Sequence, residues 1–196
     1  MKIYFTLIAL LFVKNIFSQN SCFSRPEFDL HLVQTDSGNI YAPNFDPYLN
    51  TYIGCKAPAF DITTITGKKI SLSEIKDKVV ILNFWFTSCG PCIREFKALN
   101  KLVDEFSSQD VEFISFALDE KSKLDTFLIK HQFKYEVVGE AKQIAELYQV
   151  ETFPFSIVLD KNHSVVKMLH SSRSAHPSEM ESYYLIKPFI IEALKK

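Results

Sequence analysis

From Val79 to Trp85 the chain reads Val-Val-Ile-Leu-Asn-Phe-Trp, almost wholly apolar and rich in β-branched and aromatic residues. Such a run predicts a strand buried on both faces, which requires helices packed above and below its sheet. Cys89-Gly90-Pro91-Cys92 follows. After it Ile93, Phe96, Leu99, Leu102, Val103 and Phe106 recur every three or four residues, while Arg94, Glu95, Lys101 and Asp104 fall elsewhere on the wheel. That spacing predicts an amphipathic helix. Pro91 suits its first turn, where the missing N–H costs nothing.

The same alternation continues downstream. Val111 to Leu118, Tyr135 to Val138, Phe155 to Leu159 and Val165 to Leu169 read as strands. The segments around Leu124–His131 and Ile144–Tyr148 read as helices. Ser178 with Glu181 has the capping-box pattern for a last helix, which Pro188 should kink or split. Upstream, Phe60 to Thr63 and Ile70 to Leu72 flank the turn Thr66-Gly67-Lys68-Lys69, and Ser73 is placed to cap a short helical turn. Strands alternating with helices predict an α/β fold, a central mixed β-sheet with helices on both faces.

The first residues read as an address. Met1-Lys2 gives a positive start, Ile3 to Val13 is apolar except for Thr6, and Ser18 is small. This is the pattern of a secretory signal peptide, too short to span a bilayer comfortably. A retained anchor or membrane tether is the alternative. The expected organisation is a signal peptide over 1–18, an N-terminal extension over 19–51 and the main domain over 52–196. Phe28, Leu30 and Leu32 alternate with polar residues and predict a strand within the extension. Cys22 stands where a lipidated cysteine would, but Gln19-Asn20-Ser21 lacks the apolar position of a lipobox. The expected location is the periplasm or cell envelope, where disulfides persist.

Composition excludes two classes. Twenty-two basic against 23 acidic residues give a net charge of -1, with no excess to neutralise a nucleic-acid backbone. Apolar residues at 47% provide a core, which excludes global disorder.

The chemistry concentrates in Cys89 and Cys92. A thiolate is the nucleophile of disulfide exchange. Exposed N–H groups and the dipole at a helix N-terminus stabilise that anion. Cys89, at the cap, is the expected attacking sulfur, and Cys92, one turn deeper, is the expected resolving sulfur. Their oxidised form is a Cys89–Cys92 disulfide. Zinc would need two more ligands, and no second Cys-x-x-Cys or paired histidine motif is present. His31, His131, His163, His170 and His176 are scattered singly. Neither a metal nor another cofactor is expected. A purely structural bridge would close too small a loop to stabilise much.

Asn83-Phe84-Trp85-Phe86-Thr87-Ser88-Cys89-Gly90-Pro91-Cys92 closely resembles the active-site stretch of the thioredoxin superfamily. Gly54-Cys55-Lys56-Ala57-Pro58-Ala59-Phe60 resembles the G-x-x-A-P-x-F opening of its extracytoplasmic TlpA/ResA-like branch. Thr152-Phe153-Pro154 resembles the superfamily's cis-proline loop. The resemblance spans roughly residues 52 to 170 and implies a thioredoxin-like fold with a strand-helix insertion around 111–138. It implies that Pro154 is cis and lies against the cysteines, that the Phe153 backbone meets an extended substrate, and that Trp85 is an exposed apolar platform. Glu95 matches a glutamate of the branch and is implied to carry a proton for Cys92 or to tune thiol ionisation. Asn83 departs from thioredoxin itself, which has aspartate there, and an amide is no general base.

The implied function is thiol-disulfide exchange on extracytoplasmic proteins, in the reducing direction, with apocytochrome c as one plausible substrate. A membrane or periplasmic reductant would recharge the pair. Two other readings share the fold. A peroxiredoxin-like peroxidase needs Thr three residues before its cysteine, where this chain has Phe86. A non-catalytic binding module would not need both cysteines. Cys22 and Cys55 are left as a second pair, or as separate thiols.

Overall fold

A computed structural model describes Phe23, residues 49–170 and residues 178–196. The signal peptide, the lipidation question at Cys22, its pairing with Cys55 and the strand of the extension lie outside the described residues.

Strands β1 (Asp61–Thr63) and β2 (Lys69–Ser71) form an antiparallel hairpin with Ile62 opposite Ile70. Its turn places Gly67 at φ +88°, a conformation that suits a residue without Cβ. A single 3-10 turn, Leu72–Glu74, follows; its cap is Ser71, which makes no side-chain cap bond. The expected capping by Ser73 is therefore corrected: Ser73 lies inside the turn, and its Oγ pairs with Ser71 Oγ at 2.9 Å.

The main sheet comprises β3 (Val79–Trp85), β4 (Val111–Ala117), β5 (Glu136–Val138), β6 (Phe155–Leu159) and β7 (Val165–His170), in the order β5-β4-β3-β6-β7. β3 lies in the middle, parallel to β4 and antiparallel to β6. Every residue of β3 is buried. Alternation sends Val80, Leu82 and Phe84 into one core, with Phe60, Leu72, Tyr148 and Ile157. Val79 and Ile81 enter the other, with Leu99, Leu102, Ile186 and Ile190. The period of two explains why the run reads as continuously apolar: both faces are interior.

Helix α1 (Gly90–Phe106) lays Phe96, Leu99, Leu102 and Phe106 against the sheet. Helices α2 (Lys121–Lys130) and α3 (Lys142–Leu147) flank β5. The stretch 111–138, where an insertion is expected, folds as β4, α2 and β5, with β4 the parallel neighbour of β3 and β5 at the sheet edge. Helix α4 (Glu181–Leu194) packs on the same face as α1. Two expectations about it are corrected. Its cap is Met180 with no side-chain cap bond, so Ser178 and Glu181 form no capping box. It also continues through Pro188 as one helix, because Ile186, Ile190 and Ala193 are held in the core on either side. Among the described residues no helix is long and apolar enough to cross a membrane.

Candidate active site

Strand β3 ends at Trp85, and the next three residues turn the chain into α1. That turn is closed by the Cys89 N–H donating to the Phe86 carbonyl at 3.0 Å. Cys89 is the cap of α1, with extended backbone (φ -83°, ψ 96°), and its carbonyl accepts the first helical bond from Ile93 N–H at 3.1 Å. Its Sγ accepts from the Cys92 N–H at 3.2 Å. Pro91 sits in the first turn. The two sulfurs are bridged, with Cα atoms 5.3 Å apart. Cys89 retains 6% exposure and Cys92 none, so a partner sulfur can approach only the former. An N–H aimed at the Cys89 sulfur, at the positive end of a 17-residue helix, favours its anionic form once the bridge is opened.

Glu95 lies one turn beyond Cys92, and its carboxylate is buried at 4% exposure. Burying a carboxylate is unfavourable unless donors surround it. Asn83 Nδ2 donates to Oε1 at 2.9 Å, and Ser182 Oγ donates to Oε2 at 2.9 Å. Asn83 occupies the α1-facing side of β3, as its parity with Val79 and Ile81 requires. Its Nδ2 also reaches Ser156 Oγ at 3.3 Å, which links the network to β6. Burial first, and then the negative Glu95, push the Tyr135 phenol well above its ordinary value, so Tyr135 is neutral in this network.

The Phe153–Pro154 peptide is cis. Phe153 packs on the cluster containing Cys89 and Cys92, and its ring meets Phe86 edge-on at 5.5 Å. Pro154 is buried immediately before β6. The structure thus brings the Thr152-Phe153-Pro154 loop to the cysteines.

Trp85 is a correction. It is fully buried, not an exposed platform. Its Nε1–H donates to Ser115 Oγ, and its ring packs on Phe96, Phe127 and Phe133 at 4.9 to 5.9 Å. Trp85 belongs to the strand, opposite Ala117, and its side chain points under the helix. Phe86 and Phe153, both partly exposed, provide the apolar surface beside the redox pair instead.

Two site residues escape sequence reasoning. Asp119 accepts from the Thr87 N–H at 2.6 Å and from Thr87 Oγ1 at 3.0 Å, clasping the turn that carries Cys89. Lys123, four residues on, pairs with the same carboxylate. The Asp119/Lys123 spacing is visible in the sequence as a helix-type ion pair, but its aim at Thr87 is not. Ser182 has no sequence signal at all.

A family model described as AhpC/TSA family matches residues 53–193. The chain is similar to a thiol-disulfide oxidoreductase ResA of Bacillus cereus, 33% identical over 133 residues, 67% of this chain and 76% of that protein. It is also similar to the thioredoxin-like protein YneN of Bacillus subtilis, 31% identical over 142 residues, 71% of this chain and 83% of that one. Among solved structures, a candidate thiol:disulfide interchange protein DsbE from Chlorobium tepidum is 28% identical, with a TM-score of 0.64 over 72% of this chain and 97% of that chain.

Proposed function

The chain belongs to the AhpC/TSA family, and on that premise we propose how its thiol-disulfide oxidoreductase chemistry is used: to reduce disulfides of proteins outside the cytoplasm. Thiol-disulfide exchange is the activity of the ResA relatives that the chain matches, and the Cys89–Cys92 pair supplies the two sulfurs it needs. The observation that carries the role assignment is the Cys89 sulfur at the cap of α1, accepting the Cys92 N–H.

Starting from the dithiol, the Cys89 thiolate attacks one sulfur of a substrate disulfide. That S–S bond breaks, a mixed disulfide forms, and one substrate thiolate leaves. Cys92, deprotonated toward Glu95, then attacks Cys89 Sγ. The second substrate thiolate leaves and takes up a proton, and the Cys89–Cys92 disulfide remains. Two electrons pass from protein to substrate, and an upstream thiol reductant of the envelope must restore them. The Phe153 backbone and Pro154 receive an extended substrate segment beside Phe86. The leader-like residues 1–18 support export, with a retained tether as the other outcome. Secreted thiol proteins, apocytochrome c among them, are the substrate class this reading favours.

A dithiothreitol-coupled insulin reduction assay tests the reading. The wild-type protein should accelerate insulin reduction, and Cys89→Ser should reduce it no faster than dithiothreitol alone. Full activity in Cys89→Ser would overturn it. Peroxide consumption by the reduced protein outpacing disulfide reduction would move the assignment to a peroxidase, against the Phe86 that stands where such enzymes need Thr.

A further inference from the structure

We propose that Ser182, at the start of α4, is a positioning residue that keeps the Glu95 carboxylate ionised and so sets the pH at which Cys92 resolves the mixed disulfide. The inference rests on Glu95 accepting the Cys92 proton.

Helix α4 has no chemistry in its sequence, yet its second residue delivers a hydroxyl to the buried carboxylate of Glu95, one turn beyond Cys92. Ser182 is 2% exposed, so its bond to Glu95 Oε2 lies in a poorly solvated site where a charge-assisted bond is strong. A donor pointed at a carboxylate favours its charged form and lowers its proton affinity. The first turn of α4 adds the positive end of a 14-residue helix. The placement is held from the other side of the same helix. Tyr183 Oη donates to Glu105 of α1, and Lys187 pairs with the same carboxylate at 2.6 Å.

The network has a second arrangement built in. Asn83 Oδ1 is buried without a hydrogen-bond partner. Rotation of that amide brings Oδ1 toward Glu95, where it accepts the proton of the neutral carboxyl. With Asn83 able to serve either state, the Ser182 donor and the helix end weigh toward the charged one. Titratable neighbours enter from three elements. Cys92 stands one turn back on α1, Tyr135 precedes β5 and is neutral, and Glu181 precedes Ser182 with a buried Oε2 that lacks a hydrogen-bond partner. A charge on Glu181 would oppose ionisation of Glu95, which makes the Ser182 donor the more necessary.

The test measures insulin reduction by the full-length protein from pH 5 to 9 for wild type, Ser182→Ala, Ser182→Thr, Ser182→Val, Glu95→Gln and the double variant Glu95→Gln/Ser182→Ala. Thr keeps the donor and Val, of matching shape, removes it, so a packing effect alone moves both alike. The acid limb of the rate profile should move up by about one pH unit in Ser182→Ala and Ser182→Val, and stay in place in Ser182→Thr. In the Glu95→Gln background the Ser182 substitution should shift nothing further. If Glu95→Gln moves the limb and Ser182→Ala or Ser182→Val does not, Ser182 has no such role while the reading of Glu95 stands. If Ser182→Ala shifts the limb equally in the Glu95→Gln background, it acts by another route and the proposal falls. If Glu95→Gln itself leaves the profile unchanged, the reading of Glu95 fails and this inference fails with it.

Discussion

Asn83 Nδ2 lies 2.9 Å from Glu95 Oε1, a buried pair twelve positions apart in sequence. It joins the central strand to the second turn of the helix that carries the cysteines. The strand supplies the amide donor and the helix supplies the buried carboxylate, which Ser182 Oγ also meets at 2.9 Å.

Asn83→Leu removes that donor and keeps the branched shape, with bulkier methyl groups in place of the amide. Glu95 then keeps its buried charge with one bond fewer, and stability at pH 7 should fall by about 1–3 kcal/mol. Losing the donor raises the carboxyl's folded-state proton affinity in the variant. The deficit should therefore shrink as pH falls and the carboxyl is neutralised. Urea melts at pH 7 and pH 4.5 check this; a deficit independent of pH would mean that Asn83 acts through packing alone.

Cys92→Ser leaves the attacking sulfur and deletes the resolving one. The variant should accumulate mixed disulfides through Cys89, visible as reducible adducts on non-reducing gels, and turn over less than one-hundredth as fast, an order-of-magnitude expectation for losing an essential step. Adducts that map to Cys55 would contradict the division of roles.

Asp119 is held below the ordinary carboxylate range. Burial works against this, and donation from Lys123, the Thr87 N–H and Thr87 Oγ1 outweighs it. A depressed carboxyl contributes stability that is present above its unfolded value, about 4, and lost as pH falls through the lower folded value. Asp119→Ala should cost about 1–3 kcal/mol at pH 7, because the Thr87 N–H loses its acceptor. It should also slow exchange by loosening the turn before Cys89. The stability gap to wild type should begin to narrow below about pH 4 and go on narrowing as pH falls toward the lower folded value, and thermal melts at pH 7 and pH 3 decide whether it does.

Trp85→Phe removes the Nε1 bond to Ser115 and part of the packing on Phe96, Phe127 and Phe133. Stability should fall by about 1–3 kcal/mol while KM for a protein disulfide stays unchanged. A raised KM without loss of stability would restore Trp85 to the substrate face.

The α/β alternation was legible because it rests on local periodicity. β3 and α1 carry their patterns within single windows, and their bounds follow from residues a few positions apart. The redox pair was legible for the same reason: cap, Pro91 and both sulfurs are neighbours in sequence. What sequence missed depends on contacts across the fold. Trp85 has the composition of a surface platform or of a core residue, and only its register opposite Ala117, which puts Ser115 within reach of its Nε1, decides for the core. The Thr87–Asp119 clasp joins residues 32 positions apart, and Ser182 meets Glu95 across 87. The last helix was misjudged at its start because Ser178 and Glu181 fit a local cap, whereas docking of Tyr183 and Ile186 fixes where the helix begins.

The central claim is a Cys89 sulfur held as an accessible anion at the start of α1. Its direct measurement is the pH dependence of iodoacetamide alkylation in the reduced protein, with the modified residue located by mass spectrometry. Modification should fall on Cys89, with Cys92 protected, and the rate should titrate with a midpoint at least about one unit below the ordinary cysteine value near 8.5. A midpoint at or above that value, or faster modification of Cys92, would contradict the account.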